Sequence, residues 1–494
     1  MLIKMASRHR LRHREFLIVV SGKDGLGFPR LPDPPMPWDA YGPLLRCREN
    51  GRGTHMEQGR QPGASAPPSR TVLVVGAGGF IGGYLVAALR RHGWHVLRGV
   101  RIAGRQPAAD ERHCDLARML SPDDWIPLLQ GVDAVVNAAG ILREQGTQTF
   151  EAVHAAAPLA LAKACVETGV SRFVQVSALG IPEDGGFVAS KHRFDEALLH
   201  LPLDTVILRP SVVYSTSGSY GGTSLLRALA AFPGIQPLPG DGHWQVQPVA
   251  AEDLGKIVAR AVENPVRGVY QVAGPEPMSL REYQRRWRRW LRIPGERVLT
   301  VPEWGVSAAV RIMEVLGRGP VGETMWRMLR RGNVAAPDMQ ARLQLDFDIG
   351  TRSLSEALAA TPSQVQDRWH AQLYFIAPAL RISVALLWLL SALAGWLTPA
   401  AQIEALTTGS WLQDAAPAAL ARSGAVVDAL LGLWLLSGWR PRVAVAAMLA
   451  LLLVYTLVFG LGLPALWLDP LGGLAKNLVL LPTLAVLWVV SDRR

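Results

Sequence analysis

The chain has 494 residues, which suggests about three units at roughly 150 residues per domain. With 49% hydrophobic and 18% charged residues it is too apolar for a disordered chain, and with 48 Gly and 35 Pro too interrupted for a coiled coil. The net charge of +11 is concentrated: Met1 to Arg70 holds 12 Lys/Arg against 6 Asp/Glu, and Leu280 to Arg292 holds 6 Arg against Glu282. Two such patches argue weakly for nucleic acid and better for an anionic membrane surface, because the apolar excess lies at the C-terminal end, so a bilayer and no nucleic acid is the expected partner.

Met1 to Arg70 mixes Arg, His, Pro and Gly, and its apolar run Phe16 to Val20 is too short for a signal sequence. A disordered basic leader is expected over 1–70. Translation starting at Met56, or an Arg-rich transit peptide, are the other readings of the same residues. The cysteines Cys47, Cys114 and Cys165 are widely spaced with no C-x-x-C pair, so neither a disulfide framework nor a metal site is expected, and a reducing compartment fits.

From Thr71 short apolar runs alternate with helical stretches. Strands are expected at Thr71 to Val75, Trp94 to Val100, Ala134 to Asn137, Phe173 to Val176 and Thr205 to Leu208, with a helix over Tyr84 to His92. This βα spacing predicts an α/β fold, a doubly wound parallel-sheet Rossmann domain.

Between the first strand and first helix lies VVGAGGFIGGYL, in which Gly76, Gly79 and Gly82 form G-x-x-G-x-x-G. The first glycine permits the tight turn, the second lets the backbone approach a pyrophosphate, and the third lets helix pack on strand. The free N–H groups of the helix start, at Phe80, Ile81 and Gly82, then face the phosphates. An acid about 20 residues past the turn would bind the ribose of NAD, whereas an arginine accommodates the 2′-phosphate of NADP. The second strand runs into Arg98, Arg101 and Arg105 with no acid before Asp110, so NADP(H) is favoured over NAD(H), with Arg101 as the main contact. A solvated arginine face is the other reading.

Ser279 to Arg292 suits an amphipathic helix, with Tyr283, Trp287 and Trp290 on one face and Arg281, Arg285, Arg288, Arg289 and Arg292 on another. It reads either as a domain helix with an aromatic core stripe or as a helix lying on an anionic leaflet. Beyond it, Ile382 to Leu397, Gly424 to Trp439, Val443 to Leu463 and Leu478 to Val490 are apolar enough for four spanning helices if flanking Arg381, Arg422 and Lys476 snorkel to the interface. The first link carries Glu404 and Asp414 without Lys or Arg, whereas Arg440, Arg442, Arg493 and Arg494 flank the other side. By the positive-inside rule the Rossmann part and both termini face the cytoplasm of a multi-pass, bacterial inner-membrane protein. Asp428 within the second span is expected to pair with Lys476, as bundle glue or as the lining of a polar pocket.

Several further motifs follow in order: Cys114-Asp115-Leu116, Asn137-Ala138-Ala139-Gly140, Val176-Ser177-Ala178-Leu179-Gly180, Leu208-Arg209-Pro210 and Gln247 to Leu254. With the glycine turn, this series over Thr71 to Ala360 resembles an atypical short-chain dehydrogenase/reductase. It looks most like the NAD(P)-binding branch that includes the accessory subunit of respiratory complex I. The resemblance implies that Asp115 and Leu116 contact adenine, that Ala138 lies against the cofactor, and that Ser177 and Lys191 are the catalytic candidates, Lys191 also binding ribose. The family's Tyr-x-x-x-Lys appears here as Phe187-Val188-Ala189-Ser190-Lys191, which removes the proton-donating phenol. Ser190, His192, Tyr214 and Tyr220 are candidates to replace it.

From Arg368 the chain resembles the DoxX-like family of four-helix membrane domains, on Arg368-Trp369-His370, Asp428 to Gly432, Trp467 to Gly472 and Lys476-Asn477. The expected layout is a leader over 1–70, the Rossmann domain over 71–290, a substrate-side helical region over 291–367 and the membrane domain over 368–494. Such a chain would be a tethered oxidoreductase acting on a quinone or lipid-like substrate at the bilayer surface. A different class of function, a non-catalytic NAD(P)H-binding scaffold for a respiratory or quinone-biosynthetic complex, is favoured by Phe187 and would require a protein partner.

Overall fold

The structure is a computed structural model that describes residues 70–102, 105–315, 322–469 and 473–491. The basic leader, Cys47, Met56 and the terminal Arg493-Arg494 lie outside the described residues. Strands β1 (Thr71–Val75), β2 (His95–Val100), β3 (Glu111–His113), β4 (Ala134–Asn137), β5 (Arg172–Val176) and β6 (Asp204–Pro210) come first. They are followed by β7 (Val213–Tyr214), β8 (Ile235–Pro239), β9 (Gln245–Val246), β10 (Val249–Ala250), β11 (Gly268–Val272), β12 (Met278–Ser279) and β13 (Arg297–Val301). One seven-stranded sheet has the order β11-β6-β5-β4-β1-β2-β3, parallel at every pairing. The order reverses between β1 and β4, which opens the crevice where a doubly wound sheet binds its ligand.

The sheet is buried on both faces because its strands are apolar at successive positions. Val72 and Val74 of β1 point toward α1 (Phe80–Arg91) and α5 (Ala251–Glu263), and Leu73 and Val75 toward α2 (Ala157–Thr168) and α3 (Gly186–Leu199). Helix α1 begins at Phe80, directly on the glycine turn and four residues before the expected start. A π-helical stretch, Glu151–Ala156, leads into α2.

The remaining helices of this part are α4 (Gly222–Ala230), α6 (Leu280–Trp290), α7 (Glu303–Val315), α8 (Glu323–Arg331), α9 (Met339–Phe347) and α10 (Leu354–Ala360). A third core joins Tyr283, Trp287 and Trp290 of α6 to Tyr214, Trp244, Trp326 and Leu354. The aromatic stripe of α6 is therefore core, which removes it from any membrane surface. The same cluster crosses the expected boundary at residue 290, so the segments on either side pack as one body.

The C-terminal part comprises α11 (Val365–Leu397), α12 (Ala400–Thr407), α13 (Pro417–Ser437), α14 (Pro441–Gly462) and α15 (Asn477–Val490). Among the described residues three helices, α11, α13 and α14, are long and apolar enough to cross a membrane. The expected fourth span is shorter: α15 has 14 residues, about 21 Å of rise against a hydrocarbon core of about 30 Å. It starts late because Lys476 closes a turn and the Asn477 amide donates to Thr456 Oγ1 at 2.9 Å.

Helices α11 and α13 approach closely at small residues. A Cβ on Gly432 would meet the Ala385 carbonyl at 3.1 Å, and one on Gly395 would meet Ala425 Cβ at 3.3 Å. The Arg422 guanidinium donates to the carbonyls of Gly395, Trp396 and Thr398, satisfying the free C=O groups at the end of α11. Asp428 is buried between these helices and accepts from Ser391 Oγ at 2.9 Å. Its hydrogen-bond partner is thus Ser391 across the small-residue seam, and the expected pairing with Lys476 is not the one formed.

Helix α11 is one continuous 33-residue rod, and the expected boundary at 367/368 falls inside it. Its first turns pack against α4. Arg227 of α4 lies within electrostatic reach of Asp367, and Phe232, just past α4, meets Phe375 edge-on at 6.2 Å between centroids. Contacts advance together along both helices, so α4 and α11 run in the same direction.

Candidate functional site

The glycine turn is fixed by close packing. Gly76 adopts φ +82°, and a Cβ there would stand 2.7 Å from the Ala139 amide nitrogen. A Cβ on Gly82 would stand 2.1 Å from the Gly76 carbonyl, and one on Gly79 3.2 Å from the same oxygen. Among the described residues no acceptor takes the amide protons of Phe80, Ile81 or Gly82, since the first intrahelical bond is Gly83 N–H to Gly79 O. Three unpaired donors at a helix start with no side-chain cap make a cradle for an anion.

The turn sits between two flanking loops. On one side Asn137 donates to Gln175 Oε1 at 2.8 Å and accepts from the Ala139 amide at 3.2 Å, which fixes Ala138 beside Gly76. On the other, Asp115 Oδ1 accepts from the Ala117 amide and from Gln148, with Leu116 half-buried next to it. A third element, the loop after β7, covers α1: Tyr220 stacks on Phe80 at 6.4 Å, and the Tyr84 hydroxyl donates to Ser215 Oγ at 2.8 Å. These groups surround the crevice at the switch of strand order.

The three arginines past β2 differ in role. Arg98 is paired with Asp110 and Glu111, and Arg105 with Glu111. Arg105, helped by the Ala108 amide, holds the Glu111 carboxyl down at about 2. Arg101 is exposed and makes no ion pair among the described residues. Of the three it alone keeps its charge uncommitted.

At the end of β5 the Ser177 hydroxyl donates to Asp195 Oδ2 at 2.7 Å, and Arg209 Nε donates to the same oxygen at 2.9 Å. Burial pushes the Asp195 carboxyl up, while Ser177 and Arg209 pull against it. The structure thus spends the proton of Ser177 on a buried carboxylate and does not direct it toward a reacting group. Lys191 is buried and donates to the Val176 carbonyl at 3.0 Å and the Ala139 carbonyl at 3.4 Å. Burial lowers its ammonium to about 8, with the charge of Asp195 opposing. Two of its three protons are used, leaving one for a ligand.

His154, which carries no motif in the sequence, is at the centre of this region. Its Nε2 accepts from the Ile141 amide at 2.9 Å, so Nδ1 carries the hydrogen and donates to Ser190 Oγ at 2.9 Å, which in turn donates to the Phe187 carbonyl. Burial, reinforced by the Lys191 charge, holds the imidazole neutral, at about 2. The ring lies against Phe150 and Phe187. His154 therefore pins the Gly140 loop to α3 at the level where a tyrosine would stand.

The other candidates for a lost phenol are either bonded elsewhere or placed in other parts of the fold. Ser190 serves His154, the His192 ring donates to the Ala178 carbonyl, and Tyr214 is buried edge-on to Trp287. Tyr220 is exposed and belongs to the cover over Phe80. Phe187 itself lines a cavity of about 190 Å³ together with Leu142, Arg143, Phe150, Thr324 and Met325. The cavity is closed on one side by α7 and α8, which are tied to the β5 side by Arg331 on buried Asp184, at 2.9 and 3.0 Å. A Cβ on Gly222, the first residue of α4, would meet Met325 Cε, so α4 starts at the cavity wall.

Residues 76–237 match the family model described as NAD(P)H-binding, and residues 385–488 match the DoxX-like family. The chain thus carries an NAD(P)-binding Rossmann domain and a C-terminal DoxX-like domain. It is 26% identical over 264 residues to NADH dehydrogenase (ubiquinone) 1 alpha subcomplex subunit 9, mitochondrial, of Arabidopsis thaliana. It is 25% identical over 206 residues to ceramide reductase of Caulobacter vibrioides. These matches cover 49% and 41% of this chain, and in both the chain spans 64% of the relative's length. Among solved structures, the human epimerase family protein SDR39U1 with NADPH is 22% identical, with a TM-score of 0.45 over 59% of this chain and 98% of that one.

Proposed function

We propose that this protein is a membrane-tethered oxidoreductase that binds NADP(H) in preference to NAD(H) and acts on a lipid-soluble substrate at the bilayer surface. The observation that carries the reading is the course of α4. It starts at the cavity wall beside Met325, runs parallel to α11, and delivers the chain at Phe232 to the first spanning helix. Ten residues of rise separate Gly222 from Phe232, about 15 Å. A cavity held this far above a bilayer suits an amphiphile whose reactive group extends from the headgroup region. The relative named ceramide reductase supports a lipid as the substrate class.

The glycine turn and the amides of Phe80, Ile81 and Gly82 would hold the pyrophosphate, Arg101 the 2′-phosphate, Asp115 and Leu116 the adenine, and Ala138 and Lys191 the ribose side. The cofactor, when bound, supplies or accepts the hydride. With Phe187 in the tyrosine position and Ser177 bonded to Asp195, Lys191 is the remaining candidate to manage the proton. Its proximity to neutral pH suits that task. The charge asymmetry of the links supports a cytoplasmic Rossmann domain, where the cofactor is available.

The second reading is a non-catalytic NAD(P)H-binding subunit of a respiratory or quinone-biosynthetic complex. Phe187 favours it, as do relatives named as subunits of NADH dehydrogenase. Titration calorimetry of the detergent-solubilised protein with NADPH and NADH, followed by turnover of bound NADPH with long-chain carbonyl compounds and quinones, separates the two. Tight NADPH binding with turnover supports the enzyme, and tight binding without turnover, in protein that co-purifies with a stable partner, supports the subunit.

A further inference from the structure

The buried guanidinium of Arg288 gathers five backbone carbonyls. It donates to Ala230, Phe232 and Ile235 from one loop and to Pro294 and Gly295 from another. The two loops also touch directly, since a Cβ on Gly295 would stand 3.0 Å from the Gly234 carbonyl. One arginine thus staples 230–235 and 292–297 into a single platform. Its outer surface exposes Phe232, Pro233, Arg292, Pro294 and Arg297, and Arg292 is held there in the left-handed region at φ +56°.

The level of this platform follows from the length of α11. Its far end is marked by Leu397 and the Arg422 cap. Counting back about 20 residues for a hydrocarbon core of about 30 Å reaches Pro378. Phe375 lies one turn before it, at the near interface, and Phe232 is in edge contact with Phe375. The platform is therefore continuous with the membrane surface. Its charge fits that position: the platform's exposed charged side chains are Arg292 and Arg297 against Glu296, whereas Arg288 is buried in the staple and Arg285, Arg286 and Arg289 pair with Glu282. Arg292 and Arg297 have no ion-pair partner among the described residues.

We infer that the 230–235 and 292–297 platform rests on the leaflet that α11 enters, with Phe232 and Pro233 at the acyl boundary and Arg292 and Arg297 on anionic phospholipid headgroups. The inference rests on the membrane-tethered reading and adds to it a second contact that fixes the tilt of the soluble domain. An aromatic ring followed by a proline supplies shallow apolar insertion, and the arginines supply charge selectivity.

The test uses the full chain in nanodiscs of phosphatidylcholine alone or mixed with phosphatidylglycerol, in a Cys47→Ser background whose other cysteines, Cys114 and Cys165, are buried. An environment-sensitive fluorophore is placed by Pro233→Cys, and in a separate protein by Leu433→Cys on the exposed face of α13. The expected result is quenching of the 433 label by lipid-borne quencher in both discs. The 233 label is then quenched more strongly with phosphatidylglycerol, and Arg292→Glu with Arg297→Glu lowers its docked-to-free ratio by about tenfold. A 233 label that stays aqueous in both discs while 433 is quenched overturns the platform. Equal quenching at 233 in both discs, unaffected by charge reversal, overturns the anionic headgroup contact. Failure of the 433 label to quench overturns the membrane reading itself and the platform with it.

Discussion

The ammonium of Lys191 lies 6.0 Å from the centroid of the Phe187 ring, and that ring lines the cavity beside α7 and α8. The charge that would activate a phenol is in place, and the phenol is missing. Phe187→Tyr adds one hydroxyl to a half-buried ring without moving the cradle of the glycine turn. The expected outcome is at least about a tenfold rise in NAD(P)H-dependent reduction of long-chain ketones, with cofactor affinity changed by less than about twofold. Steady-state kinetics and calorimetry on the same preparation check both halves. A large loss of cofactor affinity would show that residue 187 contacts the dinucleotide in another way.

The pairing of Arg98 and Arg105 with Asp110 and Glu111 narrows the choice of cofactor to one side chain. Arg101→Ala is expected to weaken NADPH by about tenfold, or about 1.4 kcal/mol, while leaving NADH within about twofold. Calorimetric titration with both cofactors measures the difference. Equal weakening would assign Arg101 to general electrostatics and leave the 2′-phosphate without a dedicated contact.

The parallel sheet and the cofactor turn were legible because each rests on local signals: buried runs of Val, Leu and Ile, and glycines spaced by backbone packing. The aromatic stripe of α6 was legible as a helix face and as a core stripe, but the residues that cover it were not, since Tyr283, Trp287 and Trp290 pack with residues as distant as Tyr214 and Leu354. The role of Ser177 depends on Asp195, 18 residues on, and on Arg209 from the next strand, a triangle that no short motif encodes. His154 sits in the run EAVHAAAP with no partner nearby in sequence. Its importance appears only when the Gly140 loop and α3 come to either side. The Asp428 to Ser391 contact was missed for a related reason. An intramembrane carboxylate invites a search for a cation, whereas packing at Gly432 brings the hydroxyl of α11 closer.

Ser177→Ala distinguishes support from catalysis. Removing the hydroxyl leaves the buried Asp195 with Arg209 as its remaining side-chain partner, and Asp195 Oδ1 already has none among the described residues. The expected cost is about 1–3 kcal/mol, seen as a lower thermal midpoint, with cofactor affinity retained. An unchanged midpoint together with abolished turnover would instead make Ser177 a catalytic residue.

The neutral imidazole of His154 gives the fold an acid-side dependence whose sign can be worked out. In the folded protein the group titrates at about 2, below its ordinary value of 6.5, because burial and the Lys191 charge oppose protonation. The unfolded chain therefore binds the extra proton first, and stability is lost as pH falls through the region of 6.5 and below. Between pH 7 and 5.5 this single group removes about 1 kcal/mol. His154→Asn keeps an acceptor for the Ile141 amide but has no proton to gain, so its thermal midpoint is expected to start lower at pH 7 and to fall less over the same interval. Lys191 acts in the same direction, stability rising with pH, but elsewhere on the scale. Its folded value of about 8 lies below the ordinary 10.5, so its contribution changes only above pH 8 and does not overlap the interval tested. Melting curves of both proteins in the same detergent at the two pH values decide the matter, and parallel losses would assign the acid sensitivity to groups other than His154.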